Sequence, residues 1–258
     1  MNKVIFITGA TKNTGLAIAE KFAQNGYDVA LTSRRAEDAN KTASLLESKY
    51  GIKAVGYELE LQSVNNIKAV FASVRRDFGR LDVFVGNSAS LGVDVDVLTA
   101  TEEDFDGVID VNLKGNFFCA QQSALIMKEN GGGSIVMIGS VHYNQSIWGR
   151  ALYTASKGGL FSLVKSLAVE LGEFGIRANT IVAGAIHTER WDVQTPEQTA
   201  KRRAQYPVGR ESFGEDIANG AFYLGTDLSA TVTGTELTID SGISVCLLPY
   251  KKHYTQED

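Results

Sequence analysis

Seven short apolar runs, separated by stretches of helical pattern, restrict this chain to one broad class of fold. The runs are VIFIT (4–8), VALTS (29–33), AVGYELE (54–60), LDVFVGN (81–87), SIVMIGS (134–140), RANTIVAG (177–184) and ELTID (236–240). Each reads as a buried strand. Between them, segments such as LAIAEKFAQNG and SLVKSLAVELGEFG carry apolar residues at helical spacing. Alternating β and α elements predict an α/β fold, a parallel sheet covered by helices on both faces. Gly26, Gly51, Gly79 and Gly175 each fall just after a helical stretch, as helix-ending glycines do. With 258 residues, 44% of them hydrophobic, and only three prolines, no linker is visible, and a single domain over 1–258 is expected.

Charge and cysteine usage remove several function classes. A net charge of −5 gives no general attraction for nucleic acid or anionic membrane. No apolar run approaches the roughly 20 residues of a membrane span. VIFI, near the N-terminus, is too short for a signal-peptide core and runs into a glycine turn. Cys119 and Cys246 lie far apart in apolar surroundings, and His142, His187 and His253 form no metal-ligand pattern, so no metal is expected. These features point to a cytoplasmic protein.

Two stretches carry chemistry. The first is TGATKNTGLA, which follows the first strand and opens a helix, the context a dinucleotide-binding loop requires. Gly9 permits the tight turn, Gly15 lets the backbone approach a pyrophosphate, and the amides at the helix start favour an anion. The second strand ends in Ser33, Arg34 and Arg35, where an acidic residue would select NAD(H). Guanidinium groups there suit a 2′-phosphate. With Lys12 nearby in the first turn, NADP(H) is favoured, NAD(H) remaining open. The other stretch is SVHYNQSIWGRALYTASK, 140–157. Tyr153 and Lys157, four residues apart, share a helix face, and Ser140 ends an apolar run at the carboxyl end of a strand, where such sheets bind ligands. An ammonium beside the phenol is expected to lower the tyrosine pKa towards neutrality, making Tyr153 a proton donor and acceptor.

Taken together, these motifs resemble the short-chain dehydrogenase/reductase family, in its single-domain form, over nearly the whole chain from Lys3 to about Leu248. TGATKNTG looks like the family's TGxxxGxG loop, bringing Thr11, Asn13 and Thr14 into the expected cofactor site. GNSA (86–89) stands where the family has NNAG, IDVNLKG supplies Asn112, IVAGAIHT (181–188) looks like the PG-x-x-x-T segment, and GTELTIDSG (234–242) resembles the last strand. The resemblance implies a Rossmann-type doubly wound sheet and hydride transfer between a nicotinamide cofactor and a carbonyl/alcohol pair. It implies a catalytic set of Asn112, Ser140, Tyr153 and Lys157. Tyr153 handles the proton, Lys157 also binds the nicotinamide ribose, Ser140 bonds the substrate oxygen, and Asn112 holds a relay water towards Lys157. It further implies cofactor contacts from Glu60 and Leu61, from Asn87 with Ser88 and Ala89, and from Gly184, Ile186 and Thr188. The family's helix bundle across a two-fold axis implies a homotetramer, or failing that a dimer. Three departures stand out: Asn13 replaces the loop's middle glycine, which asparagine's tolerance of positive φ allows; Glu60 replaces an aspartate; and Ala183 replaces a proline.

The substrate is expected between residues 141–151 and a loop at about 188–212. These offer His142, Asn144, Gln145, Trp148, His187, Arg190 and Trp191. That mixture suits a small polar substrate such as a sugar, polyol or keto acid. Trp148 and Trp191 equally suit the core or a subunit contact, His142 and His187 equally suit a structural role, and Lys201, Arg202 and Arg203 read as a solvated helix face that could also attract a phosphate or carboxylate on a substrate. A 3-oxoacyl thioester is the alternative substrate. Enoyl reduction fits less well, because many enoyl reductases of this fold space the tyrosine and lysine more widely. A non-catalytic NADP(H)-sensing regulator is the alternative of another class.

Overall fold

The computed structural model describes residues 1–92 and 95–246. Leu248 and His253 lie outside the described residues, as does the side chain of Arg190. Seven strands occur where the apolar runs stand: β1 (Val4–Ile7), β2 (Asp28–Ser33), β3 (Ala54–Glu58), β4 (Val83–Gly86), β5 (Gly133–Ile138), β6 (Ile176–Ala183) and β7 (Glu236–Ile239). They form one parallel sheet in the order β3-β2-β1-β4-β5-β6-β7. The order reverses beside β1, between β1 and β4, so the crevice that binds ligands in such sheets falls at the carboxyl ends of these strands. The helices are α1 (Asn13–Gln24), α2 (Ala36–Tyr50), α3 (Val64–Phe78), α4 (Glu102–Ile109), α5 (Asn116–Glu129), α6 (Ala151–Leu171), α7 (Pro196–Arg203) and α8 (Gly214–Gly225).

Each face of the sheet has its own core. On one, Phe6, Phe71, Phe84 and Met127 pack with residues of α3, α5 and α6, Phe6 and Phe71 having ring centroids 4.6 Å apart. On the other, Ile5, Ile7, Val29 and Leu31 pack against Ile18 and Phe22 of α1 and Ile217 and Leu224 of α8. Residues of the inner strands alternate between the two cores, so β1 and β4 are apolar and buried at every position, whereas the edge strands β3 and β7 are only partly buried. Cys119 is fully buried, its thiol pushed up by burial, whereas Cys246 is only partly buried. No described helix is long and apolar enough to cross a membrane.

One departure from regular helix positions the site. Between α4 and α5 the chain makes a π-helical turn, Asp110–Gly115, with Asn112 inside it and fully buried. Such turns interrupt the α-helical ladder and redirect a side chain. Close approach elsewhere depends on Gly56 in β3: a Cβ there would lie 2.3 Å from the Ala39 carbonyl carbon of α2. The backbone cannot yield as a flexible side chain does. Gly56→Val is therefore expected to cost about 2–3 kcal/mol through overpacking and to lower Tm by roughly 5–10 °C. Gly107→Ala in α4, with nothing within 4 Å of the added carbon, is expected to leave Tm unchanged or higher. Differential scanning calorimetry of both variants checks the pair.

Candidate active site

The carboxyl ends of β5 and β6 and the first turns of α6 bring Ser140, Tyr153 and Lys157 together. β5 stops at Ile138, two residues before the expected end, and Ser140 caps the short turn that follows, its Oγ accepting from the His142 amide at 3.3 Å. Tyr153 and Lys157 lie on one face of α6, 8% and 3% exposed. The Ser140 side chain acts on the Tyr153 phenol, favouring loss of its proton. The His142 ring meets the Tyr153 ring edge-on, centroids 5.8 Å apart. Lys157 Nζ sits 5.6 Å from the Tyr153 ring centroid and donates to the Ile138 carbonyl at 2.8 Å.

The electrostatics correct one expectation. Burial pushes the Tyr153 pKa up, opposed by the hydrogen bond from Ser140 and by the charge of Arg150. Lys157 does not pull it down. The lysine is itself buried, and burial depresses its own pKa to about 8. In this structure Tyr153 is therefore a protonated phenol at neutral pH, beside an ammonium that loses its proton more readily than an exposed lysine would.

Asn112 braces this cluster. Its Oδ1 accepts from the Ser90 amide at 2.7 Å, and its Nδ2 donates to the Ser90 carbonyl at 2.8 Å and to Ser156 Oγ at 3.0 Å. Ser156 Oγ in turn donates to the Tyr153 carbonyl at 2.7 Å. The Asn112 carbonyl accepts from Asn116 Nδ2 at 2.9 Å. The side chain thus joins the loop after β4 to α6.

The expected cofactor residues line the same edge, and their geometry fits a dinucleotide. Gly9 and Asn13 both take positive φ, 65° and 48°, so asparagine does preserve the turn. A Cβ on Gly15 would lie 2.2 Å from the Gly9 carbonyl oxygen. Asn87 closes the loop from below, Nδ2 donating to the Thr8 and Gly9 carbonyls at 3.0 and 2.9 Å, while the Asn87 and Ser88 amides both donate to Thr8 Oγ1. At the N-terminus of α1, Lys12 provides no side-chain cap and the first turn holds no acidic residue. Those amides suit an anion from outside the chain. Thr11 and Thr14 are half-buried in this turn, and Ala89 is exposed beside Ser88. Leu61 is buried, and Glu60 is exposed with its amide bonded to Asn66 Oδ1. On the far side, Gly184 packs against Asp240, Ile186 bridges Ser212, and Thr188 Oγ1 is buried without a partner among the described residues. A buried, unanswered hydroxyl suits a polar ligand group.

The basic cluster after β2 is less uniform than expected. Arg35 is held bidentately by Asp38, at 2.7 and 2.8 Å, and Glu58 accepts from the Ala36 amide at the start of α2. Arg34 is exposed and forms no ion pair among the described residues. It, with the exposed Lys12, is the cation left to meet a phosphate; Ser33 Oγ lies beside the Arg35 amide at 3.4 Å.

The substrate residues divide. Asn144 is exposed, Trp148 is 72% exposed and so excluded from the core, and Gln145 Nε2 is bonded to the Ser244 carbonyl. His142 has Nδ1 3.1 Å from the Gln145 carbonyl and its ring against Tyr153. His187 takes the structural of its two expected roles: Nδ1 lies 3.0 Å from Glu211 and Nε2 2.8 Å from Asp192, with the ring stacked on Phe213. Trp191 is covered by the Arg202 guanidinium, 4.1 Å from its ring centroid. Nor is the basic run of α7 simply solvated, since Arg202 and Arg203 both pair with Glu211. Glu211, fully buried, had escaped the sequence reading; the run of cations eight and nine residues before it was the one available signal. Burial pushes its pKa up, but hydrogen bonds from Arg203, its own amide and His187, with the charge of Arg202, carry it to about 2.

Comparison with known proteins places this geometry among oxidoreductases. Residues 9–244 match a family model described as Enoyl-(Acyl carrier protein) reductase. A sorbose reductase of Candida albicans is 33% identical over 248 residues, covering 93% of this chain and 86% of that protein. An NADP-dependent mannitol dehydrogenase of Alternaria alternata is 33% identical, with 94% and 92% covered. A 3-oxoacyl-[acyl-carrier-protein] reductase of Aquifex aeolicus is 34% identical, with 93% and 97% covered. The crystal structure of levodione reductase superposes with a TM-score of 0.87 at 26% identity, covering 95% of this chain and 98% of that one.

The buried Lys157 makes a measurable prediction. Its pKa falls from 10.5 when unfolded to about 8 when folded, so between these values the unfolded chain binds more protons. Stability contributed by this group therefore rises with pH across that window, and its burial cost, on the order of 3 kcal/mol, is fully present below it. Urea unfolding of the wild type and Lys157→Met from pH ~7.5 to ~9.5 is expected to show the advantage of the variant shrinking as pH rises.

Proposed function

The chain belongs to the short-chain dehydrogenase/reductase family, and on that premise we propose that it interconverts the carbonyl and secondary alcohol of a small polar substrate, a sugar, polyol or keto acid, with NADP(H). The observation that carries the reading is the buried Tyr153 phenol at the sheet's carboxyl edge, near Ser140 and with the buried Lys157 ammonium beside its ring. When bound, the nicotinamide supplies a hydride to the carbonyl carbon, or takes one from the alcohol. Ser140 orients the substrate oxygen. Tyr153 gives that oxygen its proton in reduction and removes it in oxidation. Of the three donors on Lys157, one is taken by Ile138, leaving others for ribose hydroxyls and for the phenolate formed as the proton leaves.

In this reading the Gly9–Gly15 turn, with Thr11, Lys12, Asn13 and Thr14, holds the pyrophosphate. Asn87, Ser88 and Ala89 hold the adenosine ribose, and Glu60 and Leu61 meet the adenine. Gly184, Ile186 and Thr188 receive the carboxamide, and the 2′-phosphate falls to Arg34, Ser33 and Lys12 rather than to Arg35. The sorbose and mannitol enzymes support a polar substrate. A 3-oxoacyl thioester is the second reading, favoured by the exposed apolar pair Ile147 and Trp148, 60% and 72% exposed beside the Ser140–Tyr153 segment. Assembly as a homotetramer or dimer belongs to the same proposal. Phe117 and Leu125 on α5 and Val169 on α6 stand 39%, 52% and 84% exposed, faces that a second copy would cover.

The test is turnover of NADPH and NADH against sugars, keto acids and acyl-thioester mimics. Tyr153→Phe is expected to lose ~10²–10⁴-fold in kcat while cofactor affinity is retained. Retained turnover would overturn the assignment, and retained cofactor binding without turnover of any substrate in the wild type would favour the sensor. Arg34→Ala is expected to raise KM for NADPH by roughly 10–100-fold and to leave NADH little changed. Sedimentation velocity checks assembly, with Leu125→Glu expected to shift the protein towards a smaller species.

A further inference from the structure

We propose that Glu211 is a positioning residue that clasps the segment from His187 to Arg203 over the site and so sets affinity for the substrate. The inference rests on the reductase reading above. The segment leaves the sheet at the end of β6, which pairs with β5 up to Ile138↔Ile181, the same edge from which Ser140 emerges. It returns beside its own start. Ile186 bridges Ser212, and the His187 amide donates to the Ser212 carbonyl at 2.8 Å. Glu211 lies at this closing point.

A carboxylate offers about four acceptor positions, and the partners of Glu211 come from the two ends of the loop. His187 Nδ1 donates from its start, at 3.0 Å. Arg202 Nη2 and Arg203 Nε donate from the last turn of α7, both at 2.9 Å, and Arg203 Nη2 adds a contact at 3.2 Å. The middle of the loop is reached through these partners. His187 Nε2 faces Asp192, while Arg202 also bonds Gln194 and lies against the Trp191 ring. One fully buried carboxylate thus holds the start, the middle and the end of the loop together. Thr188, the residue assigned to the nicotinamide end of the cofactor, follows His187 directly. A loop fixed in this way presents its substrate-facing residues without an ordering cost on binding. Released, it would have to be ordered by the substrate itself, which raises KM before it affects the chemical step.

The reporter is Trp191 in a Trp148→Phe background, where it is the remaining tryptophan. Glu211→Gln removes the charge. Arg203→Met removes two of the α7 contacts to Glu211 without touching the guanidinium over Trp191, and leaves Glu211 satisfied by Arg202 and His187, so it keeps the test informative if the first variant does not fold. In both, acrylamide quenching of Trp191 is expected to increase, KM for the carbonyl substrate to rise about tenfold, and kcat to stay within a few-fold. Glu211→Asp is expected to recover part of the affinity. Unchanged quenching overturns the clasp whether or not any substrate is turned over. Increased quenching with kcat lowered and KM unchanged overturns the positioning role. Increased quenching with no turnover of any carbonyl in the parent protein keeps the clasp and rejects the reductase reading instead.

Discussion

A lysine ammonium is buried at the centre of this molecule with no carboxylate to pair with it among the described residues. Lys157 is 3% exposed, and one backbone carbonyl, that of Ile138, receives its proton donor. Burying a charge so is expensive unless it is compensated, and a fold selected for stability alone would place an apolar residue there. The arrangement makes sense if the charge is kept for a ligand. A lysine neutralised by an aspartate would have nothing left for a ribose hydroxyl or a developing phenolate. The neighbouring tyrosine shows the same bias: burial, not the lysine, dominates its titration and keeps the proton on oxygen until a substrate can take it.

Polar side chains that are not themselves reactive hold the surrounding loops at the carboxyl edge of the sheet. Asn87 fastens the first glycine turn to the end of β4 through the Thr8 and Gly9 carbonyls. Asn112, presented by the π-helical turn, fastens the next loop to the helix that carries Tyr153 and Lys157. Glu211 fastens the loop that follows β6. Each is a buried or half-buried group whose hydrogen bonds go to backbone or side-chain partners from elsewhere in the chain. The apolar cores determine where the strands lie; these braces determine how the strand ends face one another.

Much of this was legible in the sequence. All seven strands stand within two residues of the apolar runs, and the inner ones, buried on both faces, leave the clearest signature. The glycine turn was legible because its geometry demands particular residue types, and Asn13 at φ 48° satisfied that demand with a different one. What escaped depends on burial and on partners distant in sequence. The four-residue spacing of Tyr153 and Lys157 correctly placed them on one face, but spacing contains no dielectric, so it misjudged which influence sets the tyrosine. Arg35 pairs with Asp38, three residues on, a partner that the basic run alone does not disclose. Helical periodicity runs unbroken through Asp110–Gly115 and does not disclose the π turn. His187 and Glu211 are separated by the whole substrate loop, and only folding shows that they meet.

The claim on which the account turns is that, before cofactor binds, burial keeps the proton on Tyr153. The direct measurement is an ultraviolet difference titration of the cofactor-free protein against Tyr153→Phe, following the phenolate absorbance that the variant lacks. The account predicts that this signal appears only above the ordinary tyrosine pKa of about 10. A phenolate signal developing near neutral pH would contradict it, and would mean that Lys157 governs the tyrosine after all.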